Sequence, residues 1–220
     1  MAESRAVTNA LLSGLAAGHW RPRAWFSFFA QAVRRSGKQA AAHPGAVGEV
    51  VVLHGTFLML GDRRGRGWVV ASGALALTHL GLLGPNSRLG MANTLTLSRA
   101  NLPVLAAGRP RWLGFAALGS DLLDGALARR LGSQSAFGAY ADSLADAAFW
   151  IWYTIRDPRS RPVRLAGLAA WALPVLAVSG ISVRRGRMLD APRPRVLRPA
   201  AALQLVLALR APLTPDPVTR

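Results

Sequence analysis

The chain has 220 residues, 51% hydrophobic and 17% charged, with a mean hydropathy of +0.25, which is apolar for a soluble domain and ordinary for a small helical membrane protein. Its formal charge of +17 comes from 26 Arg and one Lys against ten acidic residues; the Arg residues lie between apolar stretches with no free-standing basic domain, which argues against nucleic acid and for anionic lipid headgroups as the counter-charge. The chain has no Cys, which excludes disulfides, thiolate metal sites and Cys nucleophiles.

Residues 1–45 read as an N-terminal amphipathic, interfacial segment. The apolar run from Ala10 to Ala17 is too short for a signal peptide, and no cleavage site follows it. Trp25, Phe26, Phe28 and Phe29 precede Arg34, Arg35 and Lys38, an aromatic and basic mixture suited to a helix in the headgroup region. His43-Pro44-Gly45 breaks the chain. Residues 46–90 are expected to hold two extra transmembrane helices. The first, Ala46–Leu60, carries Glu49 and His54 and is close to the minimum length for a span. The polar turn Asp62–Arg66 follows, and then an uncharged span of 18 residues, Gly67–Gly84, in which His79 reads as a packed or hydrogen-bonded histidine.

Residues 91–212 form the expected core, and 213–220 a polar tail. Asn93, Thr96 and Arg99 recur every third residue and descend one helix face. Gly108–Arg111 is a turn, Trp112–Arg130 a helix, and Phe137–Ile155 another whose Phe149, Trp150, Trp152 and Tyr153 resemble an interfacial aromatic belt. The loop Arg156–Pro162 leads into the span Leu165–Val183, where Pro174 predicts a kink. An Arg/Pro-rich loop, 184–198, and a short final span, Pro199–Pro212, complete the core. The predicted fold is all-α: a polytopic transmembrane helical bundle of about six to seven spans with an N-terminal interfacial amphipathic helix.

Four of the ten acidic residues fall within the 26 positions from Asp121 to Asp146, in apolar surroundings. A carboxylate at mid-membrane depth costs roughly 2.5–3.5 kcal/mol, so four of them require a counter-charge. Asp121 and Asp124 stand at i and i+3, Asp142 and Asp146 at i and i+4, so each pair shares a helix face. The Gly/Ser-containing connection 131–136 lets the two helices run antiparallel and the carboxylates converge. Oxygen ligands without His or Cys favour Mg²⁺ or Mn²⁺. Gly125 and Gly138 leave room against the backbone, and Arg129, one turn beyond Asp124, offers a phosphate a bidentate fork. Together these features describe a pyrophosphate site.

The pattern Asp121-x2-Asp124-Gly125-x2-Ala128-Arg129-x8-Gly138-x3-Asp142-x3-Asp146 resembles the full signature of the CDP-alcohol phosphatidyltransferases, with all eight defining positions at family spacing. The upstream Asn93-x2-Thr96-x2-Arg99 is similar to a motif in the family's first core helix. The resemblance implies transfer of a phosphatidyl group from a CDP-linked lipid, usually CDP-diacylglycerol, to an alcohol with release of CMP. It implies Mg²⁺ or Mn²⁺ held by Asp121, Asp124 and Asp142, with Asp146 as proton acceptor and further metal ligand. Gly125, Ala128, Arg129 and Gly138, with Asn93 and Thr96, would surround the CDP moiety. The family pattern has six helices from the Asn93 helix onward; five apolar segments remain here and two precede them, so helix number, topology of the ends and any homodimer interface stay open.

Placing the site on the cytoplasmic face of a bacterial cell membrane puts fifteen basic residues inside and eleven outside, in keeping with the positive-inside rule. Arg184, Arg185 and Arg187 then leave a span beside the site, as a pocket for a phosphorylated alcohol or anionic lipid acceptor or as headgroup anchors. Other classes use similar residues. A membrane prenyltransferase also holds pyrophosphate through Asp-rich motifs and Mg²⁺, without this Gly/Ala/Arg spacing. A divalent-cation transporter has little reason to place Arg129 beside its path. A degenerate relative would not keep every aspartate.

Overall fold

The computed structural model describes residues 2–106, 112–156 and 161–189, together with 202, 205, 206, 208 and 209. Among these residues all regular structure is helical: α1 (Ala2–Ala17), α2 (Pro22–Ala42), α3 (Pro44–Leu60), α4 (Arg66–Thr78), α5 (Gly90–Leu105), α6 (Leu113–Arg130), α7 (Ala136–Ile155) and α8 (Arg161–Arg185), with 3-10 turns at Arg63–Gly65 and Leu80–Leu83. The expected turn at 108–111, most of the 156–162 loop, the 190–198 stretch, most of the final span and the polar tail lie outside the described residues.

Local chemistry places the breaks. Pro22 and Pro44 each open a helix at its first position, where the missing N–H costs nothing, and each forbids a helical conformation in the residue before it. The expected N-terminal segment is a hairpin of two helices, because His19 and Trp20 take left-handed φ values of 51° and 59° between α1 and α2. The expected span Gly67–Gly84 is also divided. α4 stops at Thr78, the side chains of Thr78 and His79 turn back to the Leu75 carbonyl at 2.9 and 2.8 Å, and Leu80 and Leu83 then bury fully in the next turn. Gly84, at φ 64° and ψ −124°, ends that turn in a conformation suited to glycine.

Of the described helices, α8 is long and apolar enough to cross a membrane; Pro174 lies inside it without ending it. α3 and residues 6–17 of α1 are apolar but shorter. α5 is the central element and packs on α3, α4, α6 and α7. One core joins α3, α4, the Leu80–Leu83 turn, α5 and α7 through Val50, Ala76, Leu80, Leu83, Leu97 and Phe137; another joins α6, α7 and α8 through Leu113, Ala117, Phe149, Trp150, Tyr153 and Trp171. The aromatic run of α7 therefore differs from the expected belt: Phe149, Trp150 and Tyr153 are almost wholly buried, because the 3.6-residue repeat turns them onto the core face.

Candidate active site

α5 presents Asn93, Thr96 and Arg99 toward α6 and α7, as their spacing requires. The Arg99 guanidinium is 0% exposed and meets all four aspartates. Its Nη1 lies 2.9 Å from Asp124 Oδ2, its Nη2 pairs with Asp142 Oδ1 and stands 3.4 Å from Asp121 Oδ1, and its Nε is 3.0 Å from Asp146 Oδ1. The last pair is ionic without the alignment of a hydrogen bond. Thr96 Oγ1 donates to Asp124 Oδ2 at 2.8 Å, so Asp124, 7% exposed, is held from two sides. Asp121 and Asp142 keep 40% and 43% of their side-chain surface open, and Asp146 18%.

Carboxylate oxygens of Asp121, Asp142 and Asp146 all lie within 4.8 Å of one another, a spacing that one cation can bridge. With all groups ionised, four carboxylates and one guanidinium carry a formal −3. This all-oxygen, electron-rich set with open carboxylates fits a hard divalent ion such as Mg²⁺ or Mn²⁺.

Beside the cluster lies a cavity of about 770 Å³. Asn93, Thr96, Asp124, Gly125, Ala128, Arg129, Gly138 and Asp142 all line it, so the structure gathers every residue assigned to the nucleotide in sequence. Asp121 and Asp146 are outside this lining. Gly138 has a packing reason as well: a Cβ there would sit 2.7 Å from Asn93 Oδ1, so glycine permits the close approach of α5 and α7. At Gly125 a Cβ would sit 3.3 Å from Arg129 Nη1.

The α6–α7 connection is built from short-range signals. Gly132, at φ 60°, closes α6 with the hydrogen bonds Ser133 N to Ala128 O and Gly132 N to Arg129 O. Ser135 then caps α7 by accepting from Gly138 N at 3.1 Å. Ser133, Gln134 and Ser135 thereby line the cavity, and residues 81–86 supply another part of its wall. Neither lining was anticipated from sequence. The 81–86 wall is hidden in an uncharged run, whereas the Gly132 and Ser135 cap signals were visible. The part Arg99 plays in binding the cluster together does not follow from the sequence; its three-residue spacing from Thr96 is the signal that puts it on the shared face.

Arg184, Arg185 and Arg187 are exposed, and none lines the cavity. They flank Gly186, whose φ of 60° closes α8 where it meets α1, with Met188 N donating to Asn9 Oδ1 at 2.7 Å.

The helical bundle thus converges four carboxylates and a buried Arg beside a cavity lined by glycine and Arg. The chain belongs to the CDP-alcohol phosphatidyltransferase family, whose model matches residues 89–214, more than half of its length. The family is a class of membrane-associated transferases that generally use divalent metals. No curated protein and no solved structure matches the chain.

Proposed function

We propose that this protein is an integral membrane enzyme of phospholipid biosynthesis that moves a phosphatidyl group from a CDP-linked lipid, such as CDP-diacylglycerol, to an alcohol and releases CMP. The observation that carries this reading is the meeting of the eight signature residues with Asn93 and Thr96 around one cluster and one cavity.

In this reading Gly125, Ala128, Gly138, Asn93 and Thr96 hold the CDP moiety, with Arg129 at the cavity rim forking the pyrophosphate. Asp121, Asp124, Asp142 and Asp146 hold Mg²⁺ or Mn²⁺. A bound divalent ion supplies charge neutralisation to the pyrophosphate and to departing CMP. Asp146, one turn along α7 from Asp142, accepts the proton of the acceptor hydroxyl as that oxygen bonds to the lipid-side phosphorus and the bond to the CMP oxygen breaks. Membrane burial brings an acyl-chain substrate and a soluble acceptor to one place.

A polytopic arrangement with the site facing the cytoplasm belongs to the same proposal; the exposed apolar side chains of Met59, Leu122 and Leu176 support it. The exposure of Arg184, Arg185 and Arg187 away from the cavity favours anchorage on anionic headgroups over an acceptor pocket. An acceptor pocket predicts that Arg184→Gln, Arg185→Gln or Arg187→Gln raises the acceptor KM many-fold and spares the donor KM; anchorage predicts neither.

The test is incubation of membranes containing the protein with labelled CDP-diacylglycerol, Mn²⁺ and a panel of alcohols and phosphorylated alcohols, with products identified by mass. Acceptor-dependent CMP release with a new phospholipid is expected. Absence of CMP with every acceptor, or pyrophosphate release from a prenyl donor, overturns the reading.

A further inference from the structure

The fully buried guanidinium of Arg99 occupies the convergence point of the four aspartates. Its contacts divide into two limbs, Nη1 on one side and Nη2 with Nε, which stands 3.0 Å from Asp146 Oδ1, on the other. Nη1 points to Asp124, a carboxylate that Thr96 also holds and that solvent scarcely reaches. Nη2 is shared between Asp121 and Asp142, the two most open carboxylates of the cluster. Those same two, with Asp146, form the trio spaced to bridge a cation. This side of the guanidinium and one metal ion therefore draw on the same three carboxylates.

Resting on the metal-dependent reading above, we infer that Arg99 is a resident counter-cation: it holds the four carboxylates together in the metal-free protein and competes with the divalent ion for Asp121, Asp142 and Asp146. Without it, four carboxylates would face one another in an apolar setting, with strong mutual repulsion. With it, the metal-free fold is stable, but the ion must displace Nη2 and Nε from these carboxylates and bind beside a fixed positive charge. The Thr96–Asp124–Nη1 limb keeps the guanidinium in place during that exchange. Arg99 thus lowers metal affinity below what the aspartates alone would give, and it acts on the metal by its charge.

The test uses the full chain in detergent, with Mn²⁺ titrated against the free-ion electron paramagnetic resonance signal and thermal unfolding followed in chelator and in Mn²⁺. Arg99→Gln is expected to unfold at lower temperature than wild type in chelator, to gain more from Mn²⁺, and to bind Mn²⁺ at least about tenfold more tightly, since a like charge beside the ion is gone. Arg99→Lys keeps the charge and is expected to stay within about threefold of wild type for Mn²⁺. If Arg99→Gln does not fold in chelator, Mn²⁺ is expected to restore it, and failure to recover at saturating Mn²⁺ overturns the inference. So does unchanged or weaker Mn²⁺ binding by Arg99→Gln, an unfolding temperature in chelator equal to wild type, or an Arg99→Lys shift as large as that of Gln. A wild-type protein that binds no Mn²⁺ sinks the metal reading and this inference together; wild-type binding without a tighter Gln variant sinks this inference alone.

Discussion

Four aspartates share one guanidinium, but their surroundings differ. Asp124 is locked by Thr96 and Arg99, whereas Asp146 meets Arg99 Nε without hydrogen-bond alignment and keeps some access to solvent. Asp124→Asn disturbs the anchor of the whole cluster, so loss of both CDP-lipid binding and turnover is expected. Asp146→Asn keeps shape and removes the proposed proton acceptor, so turnover is expected to fall by about 10²–10⁴ while the donor Kd changes only a few-fold. Measuring donor binding and single-turnover rate for both variants checks the division. Equal weakening of binding by the two would mean that the aspartates act as one metal cluster without a separate base.

Among the elements, α5 matters most because it carries Asn93, Thr96 and Arg99, and α3 holds it at two levels. Glu49 Oε2 accepts from Leu89 N at 2.7 Å and Gly90 N at 3.2 Å, capping the start of α5 with a carboxylate. Further along, Asn101 Oδ1 accepts from Ser72 Oγ at 3.0 Å, and Asn101 Nδ2 lies 3.5 Å from the buried His54 Nε2, tying α5 to α4 and α3. Glu49 is outside the family match, which begins at residue 89, yet it supports the helix that carries the site. Glu49→Ala is expected to cost about 1 kcal/mol, as loss of an N-terminal cap does, and to lower the unfolding temperature by about 2–4 °C. Glu49→Gln, which keeps an acceptor, should lose less. A calorimetric scan of both variants in the same detergent checks this, and an unfolding temperature unchanged in Glu49→Ala would remove the cap from the account.

For the molecule as a whole, the dominant electrostatic fact is a net basic chain with four of its ten acids concentrated at one place. The proposed activity is expected to require Mg²⁺ or Mn²⁺, to vanish in chelator and to return on metal addition, with CMP release as the measurement. Full turnover in chelator with metal-free substrate would refute a catalytic metal. Because Arg99 supplies a counter-charge, the chelated protein is expected to stay folded, so circular dichroism should show unchanged helicity while activity is lost.

The site residues were legible in sequence because helix periodicity is local: i+3 and i+4 spacings place Asp121 with Asp124, Asp142 with Asp146 and Thr96 with Arg99 on shared faces whatever surrounds them. The helix breaks at Pro22 and Pro44, and the turn made by Gly132 and Ser135, are equally local, since each follows from a missing N–H, an unhindered positive φ or a side-chain cap. Only tertiary structure decided the rest. The run 67–84 looks like one span because nothing in it is charged, but the burial of Leu80 and Leu83 against other helices bends it into a wall of the cavity. The aromatics of α7 look like a belt by composition and become core because α6 and α8 cover that face. Arg99 finds its four partners only when α5 is brought against both α6 and α7, since a guanidinium can be counted in a sequence, but the carboxylates it will meet depend on packing between segments distant in the chain.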